Sequence, residues 1–214
     1  MQTSREPLAT ASALLAVVAL AGMGRVFAEP PPVQTEEDEY TRYEMLAPGS
    51  ASFRITYEVT ATTPGATVYF NPIRKGSTAT DEAVYDRLTG RPLTFEIVPG
   101  AAAKAAGVSD ADPDTSYIRI RLARPVPKDG ETRLLILKTY RDPKTYYAEG
   151  DAIVFSRPLS IRRNSVVLPA GYEIVSLNVP SQVLPEADGR LAVSFMNSGP
   201  AEVPFVVKAR RLER

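Results

Sequence analysis

The sequence contains no histidine, no cysteine and no tryptophan among its 214 residues. Without imidazole or thiol side chains, the protein forms no Ser-His-Asp triad, no cysteine nucleophile and no zinc site with His or Cys ligands. The lack of cysteine also excludes disulfides, a thiolate-held iron–sulfur cluster and a lipid anchor attached to cysteine. The commonest enzyme chemistries are therefore excluded, and the fold has to be held together by its core.

The sequence also has no net charge, since 25 basic side chains balance 25 acidic ones. This balance is too weak to indicate nucleic-acid binding, which needs a concentrated basic stripe. Apolar residues make up 44 % of the sequence, which is typical of a globular protein with a sizeable core. The composition therefore predicts a folded domain without a nucleic-acid partner.

Residues 1–28 have the pattern of a secretory signal peptide. Arg5 supplies the positive start, residues 8–24 carry no charge, and residues 26–28 place small side chains where signal peptidase reads them. The pattern predicts cleavage after Ala28 and a periplasmic or secreted protein. An uncleaved membrane anchor is the alternative, although an uncharged stretch rich in Ala and Gly is short and weakly apolar for a membrane span.

Residues 29–39 combine three prolines with five acidic side chains. Proline stiffens such a stretch and like charges extend it, so it is predicted to be a solvated linker with nothing to bury. A docking tail for a basic partner is the alternative. Residues 40–214 then hold the folded domain, with a possible subdivision near residues 125–130.

Apolar and polar residues alternate with period two through most of the body. Phe53, Ile55, Tyr57 and Val59, for example, alternate with polar side chains. This spacing puts the apolar side chains on one face of an extended strand, as in half-buried antiparallel sheets. We expect an all-β, antiparallel β-sandwich, either Ig-like or a large sandwich, with about ten to twelve strands.

Helix is scarce in this interpretation. Residues 101–106 could form one or two helical turns, and residues 80–88 fit either a helix or a strand. Dipeptides ending in glycine at positions 90, 130 and 189 are typical of hairpin turns between strands.

Six residues are candidates for binding a partner. The arginines form a compact basic group, and the tyrosines lie among charged residues in a stretch that links two apolar strands, a combination that binding surfaces favour. The candidates are Arg157, Arg162, Arg163, Tyr140, Tyr146 and Tyr147. The alternatives are that the arginines protect a sheet edge from aggregation and that the tyrosines border the core.

Asp110, Asp112 and Asp114 are candidate ligands for calcium, because alternating carboxylates can wrap a hard cation. The stretch is not an EF-hand loop, since Thr115 stands where glycine is needed and Arg121 where a bidentate glutamate belongs. A solvated acidic turn is the alternative, and no other cofactor is expected. Residues 71–78 have the basic and hydroxyl groups of an anion-binding turn without the arrangement of a P-loop.

Catalysis would have to use carboxylates, Tyr, Lys, Ser or Arg alone. A pair of carboxylates for glycan hydrolysis cannot be read from sequence, because the distance that matters is spatial. The prediction is therefore a protein that is not an enzyme, with a carboxylate-based glycan hydrolase or a calcium-stabilised structural domain as alternatives.

Residues 84–97, followed by strand-like sequence through residues 171–175, resemble the hairpin-rich N-terminal β-sandwich of M1-type zinc aminopeptidases. In that family the zinc lies in a separate domain with a His-Glu-x-x-His helix, and this protein has no histidine. The resemblance implies a stand-alone accessory sandwich without the peptidase, to which no catalytic residue is carried over. The predicted function is an exported, non-catalytic module that binds a protein or cell-envelope partner.

Overall fold

The computed structural model describes residues 32–213. The predicted signal peptide, its cleavage site after Ala28 and the first part of the predicted linker lie outside the described residues. Within them the protein forms fourteen strands and one short helix. In sequence order these are β1 (Glu36–Met45), β2 (Ser52–Ala61), β3 (Val68–Pro72), β4 (Thr78–Asp86), β5 (Phe95–Pro99), α1 (Gly100–Ala105), β6 (Ser116–Arg121), β7 (Thr132–Arg141), β8 (Tyr146–Glu149), β9 (Ala152–Leu159), β10 (Arg163–Val167), β11 (Tyr172–Leu177), β12 (Gln182–Pro185), β13 (Leu191–Met196) and β14 (Val203–Arg211).

The strands form three sheets. The largest has seven strands in the order β12-β13-β10-β1-β2-β7-β4, a second has the order β11-β14-β9-β8, and a third has the order β3-β6-β5. One core joins them, because the inward residues of all three sheets belong to a single apolar cluster. The predicted all-β sandwich is confirmed, and the strand number is slightly higher than expected.

Period-two alternation explains the core. On β2, for instance, Phe53, Ile55, Tyr57 and Val59 are buried, whereas the residues between them are exposed or half-buried. The Phe53 ring meets the Phe155 ring of β9 edge to face at 5.4 Å between centroids, a favourable geometry for two aromatic rings. The alternation that predicted the sandwich is thus the pattern that packs the large sheet against the four-stranded sheet.

The structure corrects three expectations about strand pairing. The sheets are not wholly antiparallel, because β1 and β10 pair in parallel. Residues 36–39, predicted to be linker, are the first residues of β1, and Glu36 and Glu37 lie opposite Ala61 and Thr60 of β2. Residues 84–97 do not form a regular hairpin, since β4 and β5 belong to different sheets and only one bridge, Tyr85 to Pro92, closes the turn.

The predicted helix is confirmed as α1, which covers the outer face of the three-stranded sheet. A second, smaller apolar cluster lies beneath it and includes Phe70, Ala103 and Tyr117. Gly100 has to be glycine here, because a Cβ would fall 1.9 Å from the backbone oxygen of Asp112. Among residues 32–213, no helix has the length and apolar character needed to cross a membrane. The described residues lie in one compact unit, with no division at residues 125–130.

Candidate functional site

A cavity of about 530 Å³ lies at the seam between the two smaller sheets, over the middle of the seven-stranded sheet. The two smaller sheets share no paired strand, and the cavity is bordered by the end of β3 and by the end of β9 that extends beyond its pairing with β8. The central strands β1, β2 and β7 supply the floor, and β3, β9 and the loops that follow them supply the walls. The cavity is lined by both charges and aromatic rings, and its principal residues are Glu36, Glu39, Thr41, Tyr43, Tyr57, Asn71, Arg74, Lys138, Tyr140 and Arg157.

Lys138 is the buried cation on the floor of the cavity. It occupies an inward position of β7, in phase with Leu134, Ile136 and Tyr140, and only 5 % of the residue is exposed. Its ammonium donates to Oδ1 of Asn71 at 2.6 Å and to the backbone oxygen of Pro72 at 3.1 Å. Both acceptors are neutral, so they solvate the charge without cancelling it.

Burial and, to a smaller extent, the positive charge of Arg157 lower the pKa of Lys138 from its ordinary value of 10.5 to about 7. Glu82 acts in the opposite direction and does not restore the ordinary value. Lys138 therefore changes its charge near neutral pH, which is uncommon for a lysine and typical of groups in functional sites.

Arg157 is the second buried cation, on the wall formed by β9. The residue is 8 % exposed, and its guanidinium carbon lies 5.5 Å from the ring centroid of Tyr43, 5.8 Å from that of Phe53 and 5.7 Å from that of Tyr140. These aromatic contacts stabilise the cation through its charge. They leave the Nε and Nη1 donors unused, because both atoms are buried and neither has a hydrogen-bond partner within residues 32–213.

Tyr140 joins the two cations. Its ring lies 5.1 Å from the Lys138 ammonium and 5.7 Å from the Arg157 guanidinium carbon, measured to the centroid. Its hydroxyl accepts a hydrogen bond from the backbone N–H of Arg74 at 3.0 Å, which fixes the loop after β3 at the cavity wall. Burial lowers the pKa of the Arg74 guanidinium, and the charge of Arg157 adds to this effect. Lys138 and Arg157 therefore share one ring, and the positive charge of Arg74 lies near enough to Arg157 to be affected by it.

Two carboxylates line the cavity from the start of β1. Glu39 accepts a hydrogen bond from the hydroxyl of Tyr57, and Glu36 accepts one from the hydroxyl of Tyr69. Glu36 is exposed as a residue, but desolvation of its carboxyl end raises the pKa against the opposing effect of the Tyr69 hydrogen bond, and the nearby Glu39 charge also raises it. Burial and the neighbouring carboxylates also raise the pKa values of both tyrosines, so each phenol stays protonated and able to donate.

A bulge at Asp38 explains why both carboxylates reach the cavity. Glu36 and Glu39 are three positions apart and would face opposite sides of a regular strand. The register of β1 against β2 shifts between Glu37 and Tyr40, and Asp38 has a φ of 51°, in the left-handed region. The extra residue reverses the phase, as β-bulges do, and brings the Glu36 side chain to the inward face.

The structure brings two of the six predicted binding residues together in the cavity, namely Arg157 and Tyr140. The compact basic group of the prediction does not form one surface. Arg157 is buried, Arg162 is exposed in the turn after β9, and Arg163 donates to the Asp38 carboxylate at 2.7 Å. The arginines are separated because Arg157 points inward from β9, which ends at Leu159, whereas Arg162 lies in the exposed turn that follows.

The other two tyrosines lie outside the cavity. Tyr146 is buried in the core, and its hydroxyl donates to the backbone oxygen of Leu46 at 3.1 Å. Tyr147 follows it on β8 and points to solvent, with 38 % of the residue exposed. Adjacent residues of a strand face opposite sides, which is why these two neighbours differ so much.

The three candidate calcium ligands do not converge. Asp110 lines the cavity, whereas Asp112 accepts from the backbone N–H of Asp114 at 2.9 Å. Lys75 lies 3.6 Å from Asp112 and 3.5 Å from Asp114, so an ammonium group occupies the position between these two carboxylates. Within residues 32–213 no group of three acidic side chains is placed to hold a metal ion. The calcium site stays a prediction.

Sequence reasoning missed Lys138, Glu36 and Glu39, whereas Arg74 belongs to the predicted anion-binding turn of residues 71–78. The signal for Lys138 was present, because it stands at an inward position between two apolar residues of the same phase. It was hidden because the outward positions of β7 include Leu135 and Leu137, so the strand is apolar on both faces. For the two glutamates no such signal exists, since their placement depends on the bulge.

The fold has known counterparts. A zinc metallopeptidase of the M1 type from Deinococcus radiodurans matches with a TM-score of 0.52 and 10 % sequence identity over 84 % of this chain and 42 % of that chain. A mutant of an M1 zinc metallopeptidase from the same organism, bound to a Tyr-Ser-Ala substrate, matches with a TM-score of 0.49 and 12 % identity over 80 % of this chain and 41 % of that chain.

No protein-family model matches the sequence, and curated proteins include no significant sequence relative. The protein spans about two fifths of the length of the peptidases that it resembles in structure. At such low identity the likeness concerns the fold alone. The resemblance predicted from the sequence is therefore confirmed as a partial one: this protein has the β-sandwich fold found in one part of an M1 zinc metallopeptidase.

Proposed function

We propose that this protein is an exported, non-catalytic β-sandwich module that binds a protein or cell-envelope partner through the cavity at the seam of its sheets. One observation carries the proposal: the buried donors of Arg157 and the buried hydroxyl of Thr41 line this cavity without a partner in the described part of the sequence. Buried polar groups are normally hydrogen-bonded. Unpaired buried donors on residues that line a cavity support a role in binding a molecule from outside.

Three further features support a binding role. The cavity volume of about 530 Å³ is within the range of ligand sites. Rings of Tyr43 and Tyr140 line it, and tyrosine and arginine are the residue types that dominate binding energy at interfaces. The peptidases with a similar fold are longer than this protein, which is compatible with a role for the sandwich as an accessory module.

Export through the predicted signal peptide belongs to the same proposal. A periplasmic or secreted location suits a domain without cysteine, which depends on its core for stability whatever the redox state. Mass spectrometry of the exported protein should find Glu29 at its N-terminus. A polypeptide from the same fraction that begins at Met1 would instead indicate an uncleaved anchor.

Affinity capture from the native cell envelope tests the binding role. The exported protein should retain a defined partner, the variant Arg157→Met should lose it, and the control Arg124→Met should keep it. Arg124 is exposed and lies outside the cavity, so the control removes the same charge from the surface. Equal retention by Arg157→Met would mean that the cavity is not the binding site.

A carboxylate-based glycan hydrolase is the second candidate function, and one observation favours it. Glu36 and Glu39 line the same cavity, and the pKa of Glu36 is raised, as a general acid would require. Release of reducing sugar from envelope glycans by the exported protein, and its loss in Glu36→Gln and Glu39→Gln, would support hydrolysis. Absence of turnover together with specific capture would favour the binding module.

A further inference from the structure

The cavity cations differ from ordinary buried charges in having no counterion. Within residues 32–213, neither Lys138 nor Arg157 lies in an ion pair with a carboxylate. Burying a charge is costly unless an opposite charge and hydrogen bonds compensate it. Lys138 can escape this cost by losing its proton near neutral pH, whereas Arg157 keeps its charge, so Arg157 above all points to an anion that comes from outside the protein.

The unused donors show where that anion would bind. The donors of a guanidinium lie in its plane, so the rings near Arg157 leave Nε and Nη1 available for oxygen acceptors. The Lys138 ammonium has three donors and uses two of them, on Asn71 and Pro72. Thr41 lies on the same cavity floor, and its buried hydroxyl makes no hydrogen bond of ordinary geometry in the described residues, although the Tyr43 hydroxyl lies near it.

We infer that the cavity binds a carboxylate group, held by Arg157, Lys138 and Thr41. The inference rests on the proposed function, because it takes the cavity as the place where the partner binds. It names the chemistry of the inserted group: an acidic side chain, the terminal carboxylate of a polypeptide or a small organic acid. Arginine, lysine and hydroxyl donors are the groups that bind carboxylates in proteins.

The charges around the cavity favour a carboxylate over phosphate. Four basic residues line it, but so do four acidic ones, namely Glu36, Glu39, Asp110 and Glu202. A phosphate group carries close to two negative charges at neutral pH and would be repelled more strongly by these carboxylates than a singly charged ligand would. Arg157 and Lys138 supply enough positive charge for one carboxylate.

Side-chain NMR of the labelled protein in its exported form tests the inference with butyrate as the probe. Butyrate should shift the Nε–H signal of Arg157 and the backbone signal of Thr41 in a saturable way. Butanol has the same alkyl group without the charge and should not. Phosphate should bind more weakly than butyrate. No saturable shift with butyrate, or tighter binding of phosphate, would overturn the carboxylate assignment.

Variants then assign the donors. Followed at the Thr41 amide, the affinity for butyrate should fall about 10- to 100-fold in Arg157→Met and in Lys138→Met, as expected for the loss of charged hydrogen bonds. Arg157→Lys keeps the charge and should give an intermediate loss, and Arg124→Met should bind like the wild type. A dispersed amide spectrum checks that each variant is folded. Unchanged affinity in folded Arg157→Met and Lys138→Met would overturn the assignment.

The two proposals can fail separately. If butyrate binds and the envelope supplies no partner, the carboxylate site stands and the partner-binding function fails. If the cavity captures a partner through Arg157 and butyrate does not bind, the function stands and the carboxylate assignment fails.

Discussion

Charged side chains on the two sides of the seven-stranded sheet have opposite surroundings. On the outward face, the guanidinium of Arg42 binds both carboxylate oxygens of Glu186 at 2.6 and 2.7 Å and also contacts Glu44. Arg190 bridges Glu44 and Glu186 at 3.2 and 3.4 Å. On the inward side, the cavity cations Lys138 and Arg157 are more deeply buried and pair with no carboxylate of the described residues.

The difference separates charges that stabilise the fold from charges that are available for function. The outer network links the β12–β13 hairpin to β1, with every charge compensated and half-buried. The Arg42 hydrogen bond lowers the pKa of Glu186, which shows that the native state favours the ionised form of this carboxyl. In the cavity the fold tolerates uncompensated charge, which costs stability and leaves donors free for a ligand.

The largest expected effect concerns the pH dependence of stability and tests the uncompensated charge in the cavity through the variant Lys138→Met. The native pKa of Lys138, about 7, lies below the ordinary 10.5, so between these pH values the unfolded protein binds a proton that the native protein does not. Wild-type stability therefore gains from Lys138 as the pH rises through this window. Relative to Lys138→Met, the unfolding free energy should rise by on the order of 4 kcal/mol across it.

Urea denaturation of both proteins on either side of that window measures the effect. Groups that titrate in both proteins, such as the tyrosines, largely cancel in the difference. A constant difference between Lys138→Met and the wild type would mean that Lys138 keeps its charge in the native cavity, and the contrast with the outer face would then be lost.

Asp142 tests whether a buried charge without a cation is always costly. It is buried, and its carboxylate accepts from Oγ1 of Thr145 at 2.7 Å, from the Lys144 amide at 3.1 Å, and from Oγ of Ser77 and the Thr145 amide at 3.2 Å each. Burial acts to raise the pKa of Asp142, but these hydrogen bonds outweigh it and lower the pKa. Asp142→Ala should cost about 2 kcal/mol near neutral pH, because it removes the acceptor from four donors.

The sign of the pH dependence is the reverse of that for Lys138. With a native pKa below the ordinary 3.8, Asp142 stabilises the fold above that pH and loses this contribution as the pH falls further. Thermal unfolding of Asp142→Ala and wild type should therefore converge in acid. A cost that persists in acid would show that the residue acts through packing alone.

The smallest expected effect concerns Arg42, in the ion-pair network on the outward face, and tests whether compensated charges there stabilise the fold. Arg42→Met should lower the unfolding free energy by about 1 kcal/mol, since its ion pairs are only partly buried. The loss should shrink at high salt, which screens the wild-type network. Denaturation at two salt concentrations measures this, and a loss independent of salt would assign the role of Arg42 to its aliphatic stem.

Much of the fold could be predicted from period-two alternation, because burial of one face of a strand is written locally in the sequence. Phe53 and Ile55 on β2 show it plainly, and so do the apolar residues of β14. The parallel pairing of β1 with β10 could not be predicted, because the two strands lie far apart in the sequence and alternation does not encode the partner.

The candidate site was predictable only in part. Arg157 and Tyr140 were identified for their residue types, although they were assigned to a surface and not to a cavity. Arg157 alternates in phase with Phe155 and Leu159 on β9, and this pattern indicates that its side chain points inward and not to the surface. The linker prediction for residues 36–39 was wrong, because acidic composition indicates solvation and does not reveal pairing with a neighbouring strand.

The sequence alone determined the class of fold and the chemistry that is excluded, because strand alternation and residue types are local properties. Only the tertiary structure decided that the ends of β3 and β9 would border a cavity over the large sheet, and that the bulge at Asp38 would place Glu36 along it. Packing brings together side chains from distant strands, and two cations acquire a shared environment only when that packing has removed them from water.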